Sequence, residues 1–490
     1  MNVLFTSAEV APFAKAGGLG DVVGSLPKAL RAEGVDARVL MPLYGAIDTR
    51  RYQIRPLFNF RLSRRNGTAD VSISYTEFDD VPIYFLSSWP FFGEGNYIYG
   101  NWAWDMPRFI FFSQAIQAVA WQLAQGRGGH PHWLPDVLHF NDWHTGLGAF
   151  LLDVSRGDPL WGRMGSVQSI HNMAYQGQSA GGWLFDVGVP GRETPLLRGA
   201  EKDNLMAISI AYSDIVSTVS PRYALEIQYP RFGEGLGELV QQRARNGDVV
   251  GILNGIDPDL WNPATDPSLP HPYTVETFLE GRAANKAQMQ RDAGLPVRAD
   301  VPLIGMVSRL TDQKGIDLAL PALRQLLIDT ECQVIVLGTG DAALEAQLAQ
   351  LAADFGWKAR AYLQYNALIS QRIYSAADLF LMPSRYEPCG TSQMLAMHYG
   401  SLPVVRETGG LADTVESYDD GPADRGTGFV FSWEEVSAVL NTLRWAISVY
   451  SERPQAFQRM QRRAMLVDFS WKKSAGAYVA MYEQALARHR

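Results

Sequence analysis

Short apolar, β-branched runs alternate with longer helical patterns along the whole chain. In the first half, these runs predict strands at residues 3–7, 37–41, 137–141, 167–171, 215–219 and 249–253. In the second half, they predict strands at 303–307, 333–337, 379–382 and 403–405. The helix-length segments between them include 22–33, 342–355 and 392–399. Strands that are apolar throughout are typical of parallel sheets covered by helices on both faces. The alternation therefore predicts an α/β fold with two doubly wound, Rossmann-like domains.

The chain is predicted to divide just after residue 253. Its 490 residues are too many for one hydrophobic core. A turn-rich stretch at 254–258 is followed by a polar, Pro-rich stretch at 261–272 that has no strand pattern. We predict an N-terminal Rossmann-like domain over 1–253 and a C-terminal one over 254–470. The last segment, 471–490, has a helical pattern with one apolar face and is a candidate to pack back on the N-terminal domain.

Composition narrows the class of protein. Hydrophobic residues make up 47% and charged residues 19%, which is ordinary for a globular chain and does not indicate disorder. The net charge of −8 and the lack of a long Lys/Arg stripe argue against a nucleic-acid partner. With two cysteines, no secretory signal and no apolar run of membrane length, we expect a soluble, cytoplasmic protein without disulfides or a membrane partner.

Two basic loops follow predicted strands, one in each half of the chain. The loop at 15–21 carries Lys15 beside glycines, whose backbone N–H groups can approach an anion at a helix start. Arg309 and Lys314 follow the strand at 303–307, and a guanidinium with an ammonium suits a diphosphate. The plain alternatives are an ordinary Gly-rich connection and a solvated pair. Both loops together predict a ligand held between the two domains, at strand ends.

Two further strand ends carry chemistry. Glu387 lies beside a Pro-Cys-Gly turn, where its carboxylate is suited to binding sugar hydroxyls or stabilising positive charge at an anomeric carbon. A partner for a helix dipole is an equally good explanation. Cys389 has no histidine nearby in sequence, so a packed thiol is favoured over a nucleophile. The glycine turn at 408–410 is suited to an anion-binding nest, although alone it is a weak signal.

Histidines and aromatic residues mark the first half. The segments 139–144 and 169–172 contain three histidines and an aspartate, but their spacing matches no compact zinc pattern, so we predict no metal. His171 remains a candidate because it ends a strand. In the aromatic loop 95–104 we expect Trp102 and Trp104 to pack in the core, and we favour Tyr97 and Trp143 for contact with a glucan acceptor.

Taken in order, these motifs resemble those of bacterial glycogen synthases, the group that includes plant starch synthases. The segments that carry the resemblance are 15–21, 139–144, 171–172, 254–257, 308–315, 387–390 and 408–415. They extend over essentially the whole chain. Each segment alone is unspecific, whereas their combination in this order is highly specific.

The resemblance implies a GT-B fold, in which two Rossmann-like domains face a central cleft. It also implies transfer of glucose from ADP-glucose to the non-reducing end of an α-1,4-glucan such as glycogen, with retention of anomeric configuration. Members of the family need no metal or other cofactor. A front-face and a covalent mechanism both retain configuration and stay open, as does the oligomeric state.

The resemblance also implies roles for residues that match its motifs. The catalytic candidates are Glu387, His171, Arg309 and Lys314. The donor-binding candidates are Lys15, Gly17, Gly18, Asp21, Asn254, Cys389, Gly390, Thr408, Gly409 and Gly410. The acceptor-binding candidates are Tyr97, Asp142 and Trp143. Related retaining transferases often carry a second glutamate eight residues beyond the first, but Leu395 occupies that position here and Gln393 lies nearby. A carboxylate for the nucleotide ribose is therefore missing at this point.

Three other functions are compatible with parts of the pattern. The first is a transferase that uses UDP-glucose or a non-glucan acceptor. The second is a catalytically silent glucan-binding protein, which would leave Arg309, Lys314 and Glu387 unexplained together. The third is a metal-dependent transferase.

Overall fold

The chain forms two compact units, each of which is described by itself. The computed structural model describes residues 1–127, 129, 132–419, 421 and 424–489. The N-terminal unit comprises Met1–Gly255 and the C-terminal segment from Trp471, and the C-terminal unit comprises Ile256–Ser470. The division follows Gly255, slightly later than the predicted residue 253.

The N-terminal unit is built on one large sheet. Its strands are β1 (Asn2–Thr6), β2 (Asp36–Pro42), β3 (Arg55–Arg64), β4 (Gly67–Phe78), β5 (Val81–Ser87), β6 (Val137–Asn141), β7 (Gly165–Ile170), β8 (Ile215–Thr218) and β9 (Val249–Gly251). Its helices up to this point are α1 (Gly18–Ala32), α2 (Trp102–Ala124), α3 (Trp143–Val154), α4 (Gly181–Asp186), α5 (Leu205–Tyr212), α6 (Pro221–Glu226) and α7 (Gly237–Arg245), with a 3₁₀ turn at Gly199–Asp203. The strand order is β3-β4-β5-β2-β1-β6-β7-β8-β9. Central β1 is buried between the helical layers, since Val3, Leu4 and Phe5 have no exposed surface.

One edge of this sheet departs from the predicted all-parallel pattern. Strand β4 pairs antiparallel with both β3 and β5, whereas the remaining neighbours in the sheet are parallel. Strand β3 alternates between exposed and half-buried positions because one of its faces meets solvent. Such alternation differs from the uniformly apolar runs that indicate buried parallel strands, so β3 and β4 were not predicted from the sequence.

The C-terminal unit contains a second, fully parallel sheet. Its strands are β10 (Leu303–Val307), β11 (Gln333–Leu337), β12 (Ala359–Tyr362), β13 (Leu379–Met382), β14 (Leu402–Arg406) and β15 (Phe429–Phe431). Its helices are α8 (Phe278–Asp292), α9 (Ile316–Asp329), α10 (Ala342–Asp354), α11 (Ala367–Ala376), α12 (Ser392–His398), α13 (Gly409–Thr414), α14 (Val436–Glu452) and α15 (Pro454–Met465), with a 3₁₀ turn at Asp312–Lys314. The strand order is β12-β11-β10-β13-β14-β15. The four strands predicted here are present, and the unpredicted β12 and β15 are short edge strands.

The last helix, α16 (Trp471–Ala487), packs on the N-terminal unit. It contacts α1 and β7. The ring of His139 in β6 is buried next to α16. Its Nδ1 atom is hydrogen-bonded to the hydroxyl of Tyr482 in α16 at 2.8 Å, and its Nε2 atom to the hydroxyl of Ser169 in β7 at 2.6 Å. None of the helices in the described part of the chain has both the length and the apolar character needed to cross a bilayer.

Candidate active site

Three neighbouring strands of the C-terminal unit end beside one another. Strands β10, β13 and β14 are parallel neighbours, so their carboxyl ends lie at the same edge of the sheet. The loop with Arg309 and Lys314 follows β10, the loop with Glu387 follows β13, and the Thr408–Gly410 turn follows β14. Ligands of doubly wound sheets bind at such an edge.

Lys314 and Glu387 form an ion pair there. The Nζ atom of Lys314 lies 2.5 Å from Glu387 Oε2, and only 17% and 7% of the two side chains are exposed. The Ser384 hydroxyl donates a second hydrogen bond to the same carboxylate oxygen at 3.1 Å. Because an ammonium carries three N–H donors, Lys314 can hold Glu387 and still donate to another anion. Contacts within the protein thus already hold the Lys314 ammonium in position.

Arg309 is held less firmly. Its side chain is exposed, and its Nη2 atom lies 3.4 Å from Gln313 Oε1. Among the described residues it has no carboxylate within ion-pair distance. The sequence left open the alternative that Arg309 and Lys314 are both solvated side chains. Arg309 is solvated in the structure, whereas Lys314 is not.

The loops around this pair brace one another. Gly315 has a φ of +66°, and a side chain at that position would overlap the Pro383 carbonyl oxygen. The Arg385 guanidinium donates to both carboxylate oxygens of Asp317, each at 2.7 Å, and also to the Asp312 carbonyl oxygen at 2.7 Å. These contacts join the Lys314 loop to the loop that precedes Glu387.

The predicted glycine turn packs against the Glu387 loop from the other side. The Gly410 N–H donates to the Glu387 carbonyl oxygen at 3.0 Å. Gly409 has a φ of +43°, and a Cβ on it would overlap that same carbonyl oxygen, while a Cβ on Gly410 would overlap the Cys389 carbonyl oxygen. Cys389 is 4% exposed, as expected of a packed thiol. Gly390 also needs its left-handed backbone, with a φ of +69°.

In the N-terminal unit, the Lys15 loop leads into α1. Gly17 is the N-cap residue of α1, and a Cβ added to Gly17 or Gly18 would meet no atom within 4 Å. Lys15 Nζ lies 2.7 Å from Asp21 Oδ1, and both side chains are 44% exposed. The loop thus presents an open backbone face and an accessible ammonium.

Glu9 is a functional candidate that the sequence analysis missed. It is 4% exposed, and its Oε2 atom accepts hydrogen bonds from the N–H groups of Ala16 at 2.7 Å and Gly17 at 2.8 Å. Its Oε1 atom accepts from the Tyr99 hydroxyl at 2.6 Å. The Gly17 N–H, one of the glycine N–H groups predicted to approach an anion, thus already donates to a protein carboxylate, as does the Ala16 N–H. No motif signals this, because the contact depends on how the loop folds back.

His171 lies just beyond the end of β7 in a buried polar group. Its Nε2 atom is 2.8 Å from Asn141 Oδ1, and its backbone N–H donates to Asp142 Oδ1 at 2.8 Å. The Asn141 amide nitrogen donates to the Thr6 carbonyl, so its oxygen faces His171 and the ring proton belongs on Nε2. Burial lowers the pKa of His171 to about 3. The ring is therefore neutral and presents Nδ1 as a hydrogen-bond acceptor.

Asp142 is the N-cap residue of α3 and lies in the left-handed region, with a φ of +53°. Burial raises its pKa to about 7, against the opposing effect of the N–H groups of His171 and Asn172 that donate to it. Asn254 is also buried, and its side-chain oxygen has no hydrogen-bond partner within the part of the chain that the structure describes. Both residues are polar groups with little contact with water.

The aromatic candidates differ in exposure. Tyr97 is 48% exposed, in keeping with a surface that contacts substrate. Trp143 is 8% exposed, and its ring lies nearly perpendicular to that of Phe109. The expectation that Trp102 packs in the core is wrong, since it is 46% exposed and meets Trp183 edge-on at 4.7 Å between centroids.

Two further histidines of the N-terminal unit, His139 and His144, are buried. His139 and His144 are 1% and 6% exposed, and burial lowers the pKa of each to about 3. Within the described ranges, no three or more His, Cys, Asp or Glu side chains lie close enough together to hold a metal ion.

Comparison with known proteins identifies the family. The starch synthase catalytic domain family matches residues 2–242, and the glycosyl transferases group 1 family matches residues 290–463. A glycogen synthase from Streptococcus equi subsp. equi is 42% identical over 491 aligned residues, which cover 99% of this chain and 100% of that protein. A glycogen synthase from Lacticaseibacillus casei is 41% identical, with 100% of both chains covered.

A solved structure agrees with these relatives. The catalytic domain of starch synthase IV from Arabidopsis thaliana, bound to ADP and acarbose, matches with a TM-score of 0.89 and 32% identity, covering 99% of both chains. Sequence and structure therefore agree on the fold and on the class of reaction. The chain belongs to the glycogen and starch synthase family, and it is a GT-B glycosyltransferase that transfers glucosyl groups in glycogen synthesis.

Proposed function

We propose that this enzyme transfers glucose from ADP-glucose to the non-reducing end of an α-1,4-glucan, with retention of anomeric configuration. The observation that carries the proposal is the buried Lys314–Glu387 pair at the strand ends, where a cation and a carboxylate are fixed side by side. The choice of nucleotide and acceptor is supported by the relative from Arabidopsis thaliana, whose structure holds ADP and acarbose.

In this proposal, Lys314 and Arg309 act on the leaving group. The bond between the anomeric carbon and the diphosphate oxygen breaks, and the electron pair stays with the diphosphate. The Lys314 ammonium, held by Glu387, donates its remaining N–H groups to phosphate oxygens, while exposed Arg309 closes on them in a bidentate manner. Fixed cations stabilise developing charge best where water is excluded, and Lys314 is largely buried.

Glu387 and His171 act on the sugar. Glu387 stabilises positive charge at the anomeric carbon as the bond breaks, and His171 accepts a hydrogen bond from a glucose hydroxyl at Nδ1. The acceptor hydroxyl forms the new bond to the same face of that carbon, and its proton passes to the departing phosphate oxygen. Both a front-face and a covalent route retain configuration, and we assign no covalent intermediate to Glu387.

The remaining candidates would shape the site. Lys15 and the open backbone at Gly18 would bind the diphosphate end of the donor. Asp142 and Asn254 would belong to the surrounding polar shell, and Tyr97 would contact the acceptor. Gly17, Asp21, Cys389, Gly390 and Thr408–Gly410 would support the donor through the loops they form.

We further propose that the reaction needs no metal, because lysine and arginine side chains meet the charge that a divalent ion would otherwise neutralise. Activity that survives a chelator would agree with this. Activity that is lost with chelator and restored by a divalent ion would contradict it.

A transfer assay tests the function directly. Radiolabelled ADP-glucose and UDP-glucose are each supplied with glycogen primer, and incorporation into the polymer is measured. We expect ADP-glucose to be the better donor and the new linkage to show the α-anomeric coupling by NMR. Faster incorporation from UDP-glucose would overturn the donor assignment, and a β linkage would overturn retention. Binding to glycogen without incorporation from either donor would favour a silent glucan-binding protein.

A further inference from the structure

Gln393 has a wholly buried side-chain amide beside the Glu387 loop, and the reaction described above does not use it. It is the second residue of α12 and has no exposed surface. Its Nε2 atom donates to the carbonyl oxygens of Cys389 at 3.0 Å and Gly390 at 2.9 Å, and lies 3.1 Å from Thr414 Oγ1. Three oxygens around this one atom fix the orientation of the amide.

These contacts connect the Glu387 loop to α13. The Thr414 hydroxyl donates to the Gly410 carbonyl oxygen at 2.6 Å, so it faces Gln393 as an acceptor. Gly410 in turn donates its N–H to the Glu387 carbonyl oxygen at 3.0 Å. Gln393 therefore reaches the backbone of Glu387 from two directions, through the Cys389–Gly390 turn and through α13.

The amide oxygen of Gln393 is also tightly packed. Gln393 Oε1 is buried without a hydrogen-bond partner among the described residues, and it lies against Gly390, where a Cβ would collide with it. Buried polar atoms are usually paired, but within the described residues the hydrogen bonds of this amide come from its donor end alone. A carboxylate at this position would point negative charge at the same carbonyl oxygens.

We propose that Gln393 is a positioning residue for the transfer reaction: its amide holds the Cys389 and Gly390 carbonyls and thereby sets the place of the Glu387 carboxylate. It does not touch substrate. This inference rests on the proposed function, because Glu387 must act on the donor sugar for its placement to affect the rate.

The test is the pH profile of Gln393→Glu. Burial against carbonyl oxygens raises the pKa of the introduced carboxyl, so at low pH it is a neutral acid that can donate one hydrogen bond. At high pH it ionises and repels those carbonyls. A misplacement of about 1 Å can lower a rate by about 10²-fold. We expect the kcat of Gln393→Glu, relative to wild type, to fall at least about tenfold between pH 6 and pH 8.5, with little change in the donor KM.

Gln333→Glu is the matched control. Gln333 is 3% exposed and donates through Nε2 to the Pro296 carbonyl oxygen at 2.8 Å, but it begins β11 and so lies at the opposite end of the sheet from the loops. Its variant should follow the wild-type pH profile. The side chain of Gln393→Leu cannot ionise, so the factor by which this variant lowers kcat relative to wild type should be the same at every pH.

A wild-type profile for Gln393→Glu would overturn the inference, as would a wild-type kcat for Gln393→Leu. If Gln393→Glu does not fold by circular dichroism, the Leu variant decides by its kcat alone. If the wild-type enzyme uses UDP-glucose and not ADP-glucose, that result contradicts the proposed donor and not the role of Gln393. The kcat of each variant relative to wild type would then be measured with UDP-glucose.

Discussion

At the scale of single residues, carboxylates hold the basic loops of the candidate site in position. Glu387 holds Lys314, and Glu9 holds the Lys15 loop through two backbone N–H groups. Each carboxylate thus orients a basic loop that follows a strand. The two arrangements predict different consequences when the carboxylate is removed, because Glu387 is proposed to meet the sugar and Glu9 only shapes the loop.

Replacement of Glu9 tests this second role. Glu9→Ala leaves the N–H groups of Ala16 and Gly17 without their acceptor, and hydrogen bonds to charged groups contribute about 1.5–3 kcal/mol each. We expect lower thermal stability and a several-fold higher KM for ADP-glucose. Glu9→Gln keeps an acceptor oxygen for the loop and an N–H for the Tyr99 hydroxyl, so it should lie between wild type and Ala. Equal KM values for all three proteins would show that Glu9 does not shape the donor loop.

Gly409→Ala tests the packing behind Glu387. The added Cβ overlaps the Glu387 carbonyl oxygen, so the loop must move. We expect kcat to fall by about 10²-fold, the loss that a displacement of about 1 Å can cause. Gly34→Ala is the control, because Gly34 also has a positive φ, +82°, but has open space around it. The control should lose only the roughly 1–2 kcal/mol of a strained backbone, at unchanged kcat. Similar kcat values for both variants would contradict the account.

At the scale of elements, α16 is joined to the core of the N-terminal unit through a buried histidine. Tyr482→Phe removes the hydroxyl that pairs with His139 Nδ1 and leaves that nitrogen buried without a partner. We expect the free energy of unfolding to fall by about 1–3 kcal/mol in denaturant titrations. Tyr229→Phe, at a tyrosine that is 62% exposed, should change it by less than about 0.5 kcal/mol. Unchanged stability in Tyr482→Phe would mean that this hydrogen bond does not hold the helix.

The elements also show what the sequence could predict. Leu303–Val307, Gln333–Leu337 and Leu379–Met382 are buried parallel strands whose local apolar pattern predicted them with correct bounds. The antiparallel strands β3 and β4 were not predicted, because half of their positions face water and their pairing depends on residues far along the chain. Periodicity records how a strand is buried and carries little information about its partner.

For the candidate site, too, local features could be predicted from the sequence and long-range contacts could not. Lys314 and Glu387 were chosen as candidates because ligands of a doubly wound sheet bind at its strand ends, and the structure places the two side chains 2.5 Å apart. Glu9 was missed and Trp102 was misplaced, because backbone N–H contacts and the exposed fraction of an aromatic ring are set by tertiary packing. The burial of Trp143 against Phe109 is likewise a tertiary contact that the sequence pattern does not reveal.

At the scale of the whole molecule, the buried histidines predict how stability depends on pH. Burial lowers the pKa of His139, His144 and His171 to about 3, whereas in the unfolded chain each takes up a proton near pH 6.5. Below pH 6.5 the unfolded state therefore binds more protons, and the free energy of unfolding falls by about 1.4 kcal/mol per histidine per pH unit. Asp142 has the opposite effect, because its pKa is about 7 when folded and 3.8 is its ordinary value.

The three histidines outweigh the one aspartate. We expect the Tm measured by scanning calorimetry to be lower at pH 5 than at pH 7.5. In Asp142→Asn the loss on acidification should be larger than in wild type, because the opposing group is gone. A Tm that is constant or rises on acidification would show that these histidines take up protons in the folded state.

In the proposed reaction, the fixed Lys314 ammonium takes up the charge of the departing diphosphate, and the kcat of Lys314→Ala measures its contribution. Lys358→Ala is the matched control, because Lys358 is similarly buried, with 13% of its side chain exposed, and pairs with Glu331 at 2.9 Å. With saturating ADP-glucose and glycogen, we expect kcat to fall by roughly 10²–10³-fold in Lys314→Ala, as when an oxyanion donor is removed, and to stay near wild type in the control. A Lys314→Ala enzyme with the kcat of wild type would contradict this role of Lys314.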